Sequence, residues 1–239
     1  MANKLSGAEL VEQLKSLIES AGNKEDECRK FLQYVPEILF RETPVEYICI
    51  EKDYVQHSGK PDYIISARVQ DDTHSFDCVR AYVWELKAPQ CHVFEKDTET
   101  RVRPTKELIQ AENQLLNYYE EMRENASTRT EFQVLHPNDI CFGGIIIGCS
   151  RTLINGDFEA EKKTRLFQKA KRIRDAYFYA RAGIKLLTWD AVLDQLLPKE
   201  EYVGQTKSDN KMKSMPMPKA QEDITVLEGP LPLERDGET

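Results

Sequence analysis

Residues 83–90 read V-W-E-L-K-A-P-Q and close a run that begins at Cys78, C-V-R-A-Y-V-W-E-L-K. Rich in valine, tyrosine and tryptophan, the run reads as a β-strand that Pro89 stops. Residues i and i+2 of a strand share a face, so Glu85 and Lys87 project to the same side as Val79, Ala81 and Val83. An apolar face therefore ends in a charged pair. A second strand candidate, 62–69 (D-Y-I-I-S-A-R-V), follows the turn Gly59-Lys60-Pro61, and the polar link 70–77 makes the two an antiparallel hairpin. With Val69 opposite Cys78, Ile64 falls opposite Val83 and Asp62 opposite Glu85. Two carboxylates and a lysine then converge at one mouth of the sheet. A two-residue slip keeps all three on one face, whereas a one-residue slip scatters them.

Like charges facing each other across a strand pair are destabilising, so folding alone gives no reason for this pattern. A divalent cation does. Mg²⁺ (or Mn²⁺) prefers hard oxygen ligands and is commonly held by one or two carboxylates plus water. It can activate a water and stabilise charge on a scissile phosphate, with the Lys87 ammonium adding a point charge beside it. The plainer alternative is an ion pair at a strand end, a surface feature worth at most about 1 kcal/mol.

Outward from the hairpin, Leu10, Leu14, Leu17 and Ile18 repeat at helical spacing over 8–21, closed by Gly22. Asn23 stands at an N-cap position for a second helix through Phe31 and Leu32 that ends before Pro36. A short strand is expected over 47–50. Arg101–Arg103 reads as a loop leading to Pro104 at a helix start, with Leu108, Ala111, Leu115, Tyr118 and Met122 as the buried stripe of a helix to about 125. The apolar run 140–149 predicts a central strand covered on both faces. A helix over 159–180 follows, its expected core stripe being Leu166, Ala170, Ile173, Tyr177 and Ala180. A last strand is expected over 183–189, with Asp190 capping a short helix to Leu197. From Pro198 the chain turns polar and proline-marked, a composition that predicts a disordered tail over 199–239.

With 239 residues, 40% of them hydrophobic, the chain suits one principal domain. The organisation expected is an N-terminal helix (1–22), a domain over 23–198 and the tail. No stretch resembles a signal peptide and no apolar run reaches the length of a membrane span, so a cytoplasmic protein without a membrane partner is expected. The six cysteines are scattered without a C-x-x-C pair, which excludes common zinc spacings and suits reduced thiols. A net charge of -8 argues against a uniformly basic nucleic-acid binder. Between 161 and 185, however, nine lysines and arginines stand against Glu161 and Asp175. Lys169, Lys171, Arg172 and Arg174 there are candidates for contact with DNA phosphates, with Arg101 and Arg103 as further candidates. The alternative is a solvated helix face.

Pro61-Asp62 followed by Glu85-Leu86-Lys87 resembles the P-D…(D/E)-x-K signature of the restriction-endonuclease-like superfamily of metal-dependent nucleases. More narrowly, F-L-Q-Y-V-P-E-I-L, E-L-K-A-P, A-E-N-Q-L-L-N-Y-Y and G-I-K-L-L-T-W-D-A-V-L, in that order over about 24–197, are similar to the Shedu antiphage nuclease domain. The resemblance implies an α/β fold with a mixed β-sheet core flanked by α-helices. It also implies a metal-dependent DNA endonuclease acting in antiphage defence, as a homo-oligomer. Asp62 and Glu85 are the implied metal ligands, together with the Leu86 backbone carbonyl. Lys87 is the implied catalytic cation and Gln114 the polar helix residue facing the site. Glu27 corresponds to an acidic residue that some superfamily members carry on the first core helix, and Tyr118 to a tyrosine frequent in the family, although as a core-stripe aromatic it needs no functional role. Many Shedu proteins carry a large N-terminal regulatory domain, and none is expected here. The rival to a nuclease is a catalytically silent nucleic-acid-binding or assembly domain of the same fold, which has no reason to keep Asp62, Glu85 and Lys87 together.

Overall fold

A computed structural model describes residues 6–40, 44–49, 61–70 and 77–197. The expected tail, the first two residues of the Gly59-Lys60-Pro61 turn and most of the 70–77 link lie outside the described residues. The central sheet has the strand order β1 (Pro44–Cys49), β2 (Tyr63–Gln70), β3 (Asp77–Leu86), β6 (Ile140–Ile146), β8 (Lys185–Leu187). Its first three strands pair antiparallel and its last three parallel, so the sheet is mixed. The expected hairpin register is the observed one: Val69 lies opposite Cys78 and Ile64 opposite Val83.

The period of two in β3 sorts its side chains between two cores. Ala81 and Val83 face α3 (Lys106–Glu124), whose buried stripe is the expected Leu108, Ala111, Leu115, Tyr118 and Met122. Tyr82, Trp84 and Leu86 face the opposite layer, built by α1 (Gly7–Glu19), α2 (Glu25–Leu32) and α7 (Trp189–Leu196). Helices thus cover both faces, as parallel strands demand, because the connections from β3 to β6 and from β6 to β8 must cross over the sheet. Among the described residues no helix is long and apolar enough to cross a membrane.

The structure corrects several expectations. Arg101–Pro104 is not a loop but strand β5, paired with β4 (Phe94–Thr98) in a second sheet that β7 (Ile154–Asn155) completes. Thr105, not Pro104, opens α3, its hydroxyl accepting the Leu108 N–H. The hairpin is held by charge pairs, Arg103 to Glu95 directly opposite at 2.6 Å and Arg101 to Asp97, so it lacks the apolar alternation that marks a strand. Thr188 rather than Asp190 caps α7, and Asp190 instead accepts from Ser150.

The basic helix departs most. It runs as α5 (Ala160–Arg174) and then widens into a π-turn, Asp175–Tyr179, before the short α6 (Ala180–Ala182). Phe167 and Tyr179 are buried, whereas Ile173, Tyr177 and Ala180 of the expected stripe are exposed. Glu112 of α3 explains the shift: its carboxylate receives Arg174 at 2.6 and 2.8 Å and the Tyr179 hydroxyl. Both donors can reach it only if the turn is wound wider than 3.6 residues.

Candidate active site

Strand β3 ends at Leu86, and the next residue is pinned on both sides. The Lys87 N–H donates to the Ile146 carbonyl and the Lys87 carbonyl accepts from the Trp189 indole, each at 2.8 Å. Just upstream, the β3–β6 register shifts between Val83 and Trp84, which lie opposite Phe142 and Gly144. The skipped residue is Gly143, where a Cβ would lie 2.2 Å from the Trp84 indole nitrogen. At Gly144 a Cβ would stand 2.1 Å from the Lys185 carbonyl oxygen of β8. The pair of glycines makes room for a bulge, which re-aims the end of the strand.

Glu85 is 1% exposed, beneath α3, and its Oε1 accepts from the Lys87 ammonium at 2.6 Å. Lys87 also stands 3.9 Å from Asp62 Oδ2, which accepts the Leu86 N–H at 2.9 Å. The structure therefore brings Asp62, Glu85 and Lys87 together. In a strand a residue's N–H and C=O leave by the same edge, so the Leu86 carbonyl also faces the Asp62 side. Gln114 lies on the same helix face as Tyr118 and hydrogen-bonds its phenol, whose ionisation burial and the charges of Glu85 and Asp62 push upward.

Glu27 is not part of this group; it is exposed and pairs with Lys24 at 3.0 Å. Glu25 takes its place. Its half-buried carboxylate accepts the Ala88 N–H and lies within the fields of Lys87 and Asp62, and burial pushes its pKa up. The sequence carries a signal for it: Glu25 shares a helical face with buried Cys28 and Leu32 at i+3 and i+7.

Three acids thus surround one lysine. Burial, then the neighbouring Asp62 charge, push the Glu85 carboxyl up to about 9 despite its contact with Lys87. Burial alone would lower the Lys87 pKa, but Glu85, Asp62 and Glu25 together outweigh it and hold the ammonium charged. The surplus is negative. Glu85 Oε2 is buried without a hydrogen-bond partner, and so is Gln114 Oε1. An orphaned buried carboxylate oxygen is costly unless a cation completes it. Among the described residues, no three His, Cys, Asp or Glu side chains come close enough to hold a metal ion by themselves. The donor set suits a hard cation that keeps several waters, since Asp62, Glu85 and Leu86 meet at one strand end.

The family model described as Shedu protein SduA, C-terminal, matches residues 22–193. This chain belongs to that Shedu family. No curated protein matches it at a significant level. The Shedu match begins after α1 and ends inside α7, so it holds every residue of the strand-end group, while α1 precedes it. Yet α1 is attached to that group. Gln90, three residues beyond Lys87, donates to the Leu17 and Ser20 carbonyls at 3.2 and 3.0 Å, and Arg151 donates to the Ile18 carbonyl, so the orphan carbonyls at the end of α1 are satisfied by the Shedu segment.

The basic residues of the Shedu α5 divide into two groups. Arg174 is turned inward to Glu112, and Lys171 pairs with Asp175 at 2.7 Å. Lys169 and Arg172 are exposed and, like Arg165, have no ion-pair partner among the described residues. Arg101 and Arg103 are paired within their own hairpin.

Proposed function

We propose that this chain is a metal-dependent DNA endonuclease of the restriction-endonuclease-like type, hydrolysing phosphodiester bonds in antiphage defence. The observation that carries the reading is Glu85. A carboxylate buried to 1% exposure, with one oxygen on Lys87 and the other orphaned, has no folding rationale, and it shares its strand end with Asp62. Family membership supports the defence setting, and a cytoplasmic location and a homo-oligomeric form are part of the same proposal.

Magnesium or manganese, when bound there, supplies Lewis-acid stabilisation of the scissile phosphate and lowers the pKa of an attacking water. Asp62, Glu85 and the Leu86 carbonyl would hold it. The Glu85 contact keeps the Lys87 ammonium in place, where it offsets charge that develops on the phosphoryl oxygens and orients the water. Gln114 and Tyr118 roof the carboxylate and exclude bulk water from it. Lys169 and Arg172 serve the DNA backbone, whereas Lys171 and Arg174 are engaged by acids.

The test is cleavage of plasmid, linear duplex and single strands with Mg²⁺ and with EDTA. Wild type cuts only with the metal. Lys87→Ala loses activity on the order of 10³-fold while still binding DNA, because the ammonium acts mainly as charge develops. Cleavage by Lys87→Ala at the wild-type rate would remove this strand end from the chemistry. Metal-independent binding with no cleavage by wild type would make the chain a silent assembly domain.

A further inference from the structure

The π-turn changes what α5 shows to solvent. Its helical spacing would bury Tyr177, but the wider turn buries Tyr179 and leaves Tyr177 75% exposed. A tyrosine so exposed on a helix of a folded core has no packing role. It continues a row with Ile173, 46% exposed, Lys169 and Arg165, spaced four residues apart, and exposed Arg172 stands beside that row.

A small pocket of about 60 Å³ opens beside this row, between β5 and α5, lined by Val102, Leu166, Ala170, Ile173, Arg101 and Lys169. It is too small to take a base, so the ligand surface is the exposed helix face itself. Arg101 is taken by Asp97, so the unpaired positive charge comes from α5. Cations along one helix face with an exposed aromatic ring at its end match a strand of bases, whose flat faces stack, carried on a sugar-phosphate backbone. In a duplex the base faces are already stacked, and a protruding phenol ring finds only edges and backbone. In a single strand they are free.

We infer that the exposed face of α5 and its π-turn binds single-stranded nucleic acid, with a base stacked on Tyr177 and phosphates on Arg165, Lys169 and Arg172. The inference deepens the proposed function by naming the form of substrate, and it rests on that reading for a nucleic-acid ligand. The helix that bears this face is joined to α3, which sends Glu112 to Arg174 and Tyr179 and Gln114 to the Tyr118 phenol near Glu85.

Binding of the full chain to labelled probes in EDTA tests it apart from cleavage: a 20-mer of thymidine, the matching uridine 20-mer, an abasic strand of equal length and a 20-base-pair duplex. Tyr177→Ala weakens binding of the thymidine strand about fivefold to a hundredfold, the loss of one stacked base, and leaves abasic-strand and duplex binding unchanged. Tyr177→Phe restores it. Lys169→Glu with Arg172→Glu weakens every probe and flattens the salt dependence. A uridine strand bound as tightly as thymidine extends the ligand to RNA; a weaker one confines it to DNA. Unchanged thymidine affinity in Tyr177→Ala, with duplex still bound, overturns the strand site and leaves the nuclease reading standing. No binding of any probe overturns both. A Tyr177→Ala chain that loses self-association in sedimentation while binding the strand normally would make the patch a contact between copies and also overturn the inference.

Discussion

Glu85 is the residue at which folding and chemistry make opposite demands. Its pKa, raised from 4.5 to about 9, sets a sign. A group with a raised folded pKa contributes stability that is complete below its unfolded value and is lost as pH climbs through the folded one. Cation-free protein should therefore lose stability between about pH 4.5 and about pH 9 through this carboxyl. Glu85→Gln abolishes that loss, so the difference in thermal midpoint between variant and wild type should grow in the variant's favour from about pH 5.5 to about pH 8.5. Calorimetry that finds a constant difference would show that Glu85 is not the titrating group. A divalent cation competes with the proton for the same oxygens, so Mg²⁺ should raise the wild-type midpoint more at about pH 8.5 than at about pH 5.5, and should do little for Glu85→Gln at either.

At the scale of elements, the strand end is held by neighbours that never touch it with charge. Trp189→Phe keeps the ring in its buried slot but leaves the Lys87 carbonyl without a donor, at a cost of about 1–3 kcal/mol, and should reduce cleavage more than it reduces DNA affinity. Denaturant melts beside kcat and KM check this; a loss in KM alone would contradict a positioning role. Gly143→Ala drives a methyl into the Trp84 indole and should cost about 1–3 kcal/mol or more. The main sheet was legible because β2, β3 and β6 carry apolar runs, and the β2–β3 register could be reckoned from one pair, Val69 with Cys78. The β4–β5 hairpin was not, since opposed charges such as Glu95 and Arg103 replace the alternation that marks a strand. Asp62, Glu85 and Lys87 could be placed because strand period and register act over a few residues. Glu25 was marked only by its spacing from Cys28 and Leu32, while Glu27 had a rival claim through Phe31 at i+4, and Tyr177 was misplaced because a π-turn set by a distant Glu112 leaves no periodic trace.

Across the whole molecule, two cores share one sheet, and the strand end lies where both stop. The core beneath α1, α2 and α7 includes Leu14, fully buried on a helix outside the family match. Leu14→Ala should cost about 2–5 kcal/mol, a fall of roughly 4–20 °C in midpoint for a chain of this size, if α1 is integral to that core. A change under 1 °C would mean that α1 rests on the surface.

The clamp of Arg174 and Tyr179 on Glu112 has a mechanical consequence. Both Arg174 bonds leave one nitrogen, Nη2, and the Tyr179 phenol adds a third to the same carboxylate, so α5 and its π-turn are tied to α3 at one point, and close-packed interiors pass strain on with little give. Glu112 at the clamp and Gln114 beside the Tyr118 phenol lie two residues apart on α3, so a load taken up at the clamp is expected to reach the helix above Glu85. Arg174→Lys should loosen that link.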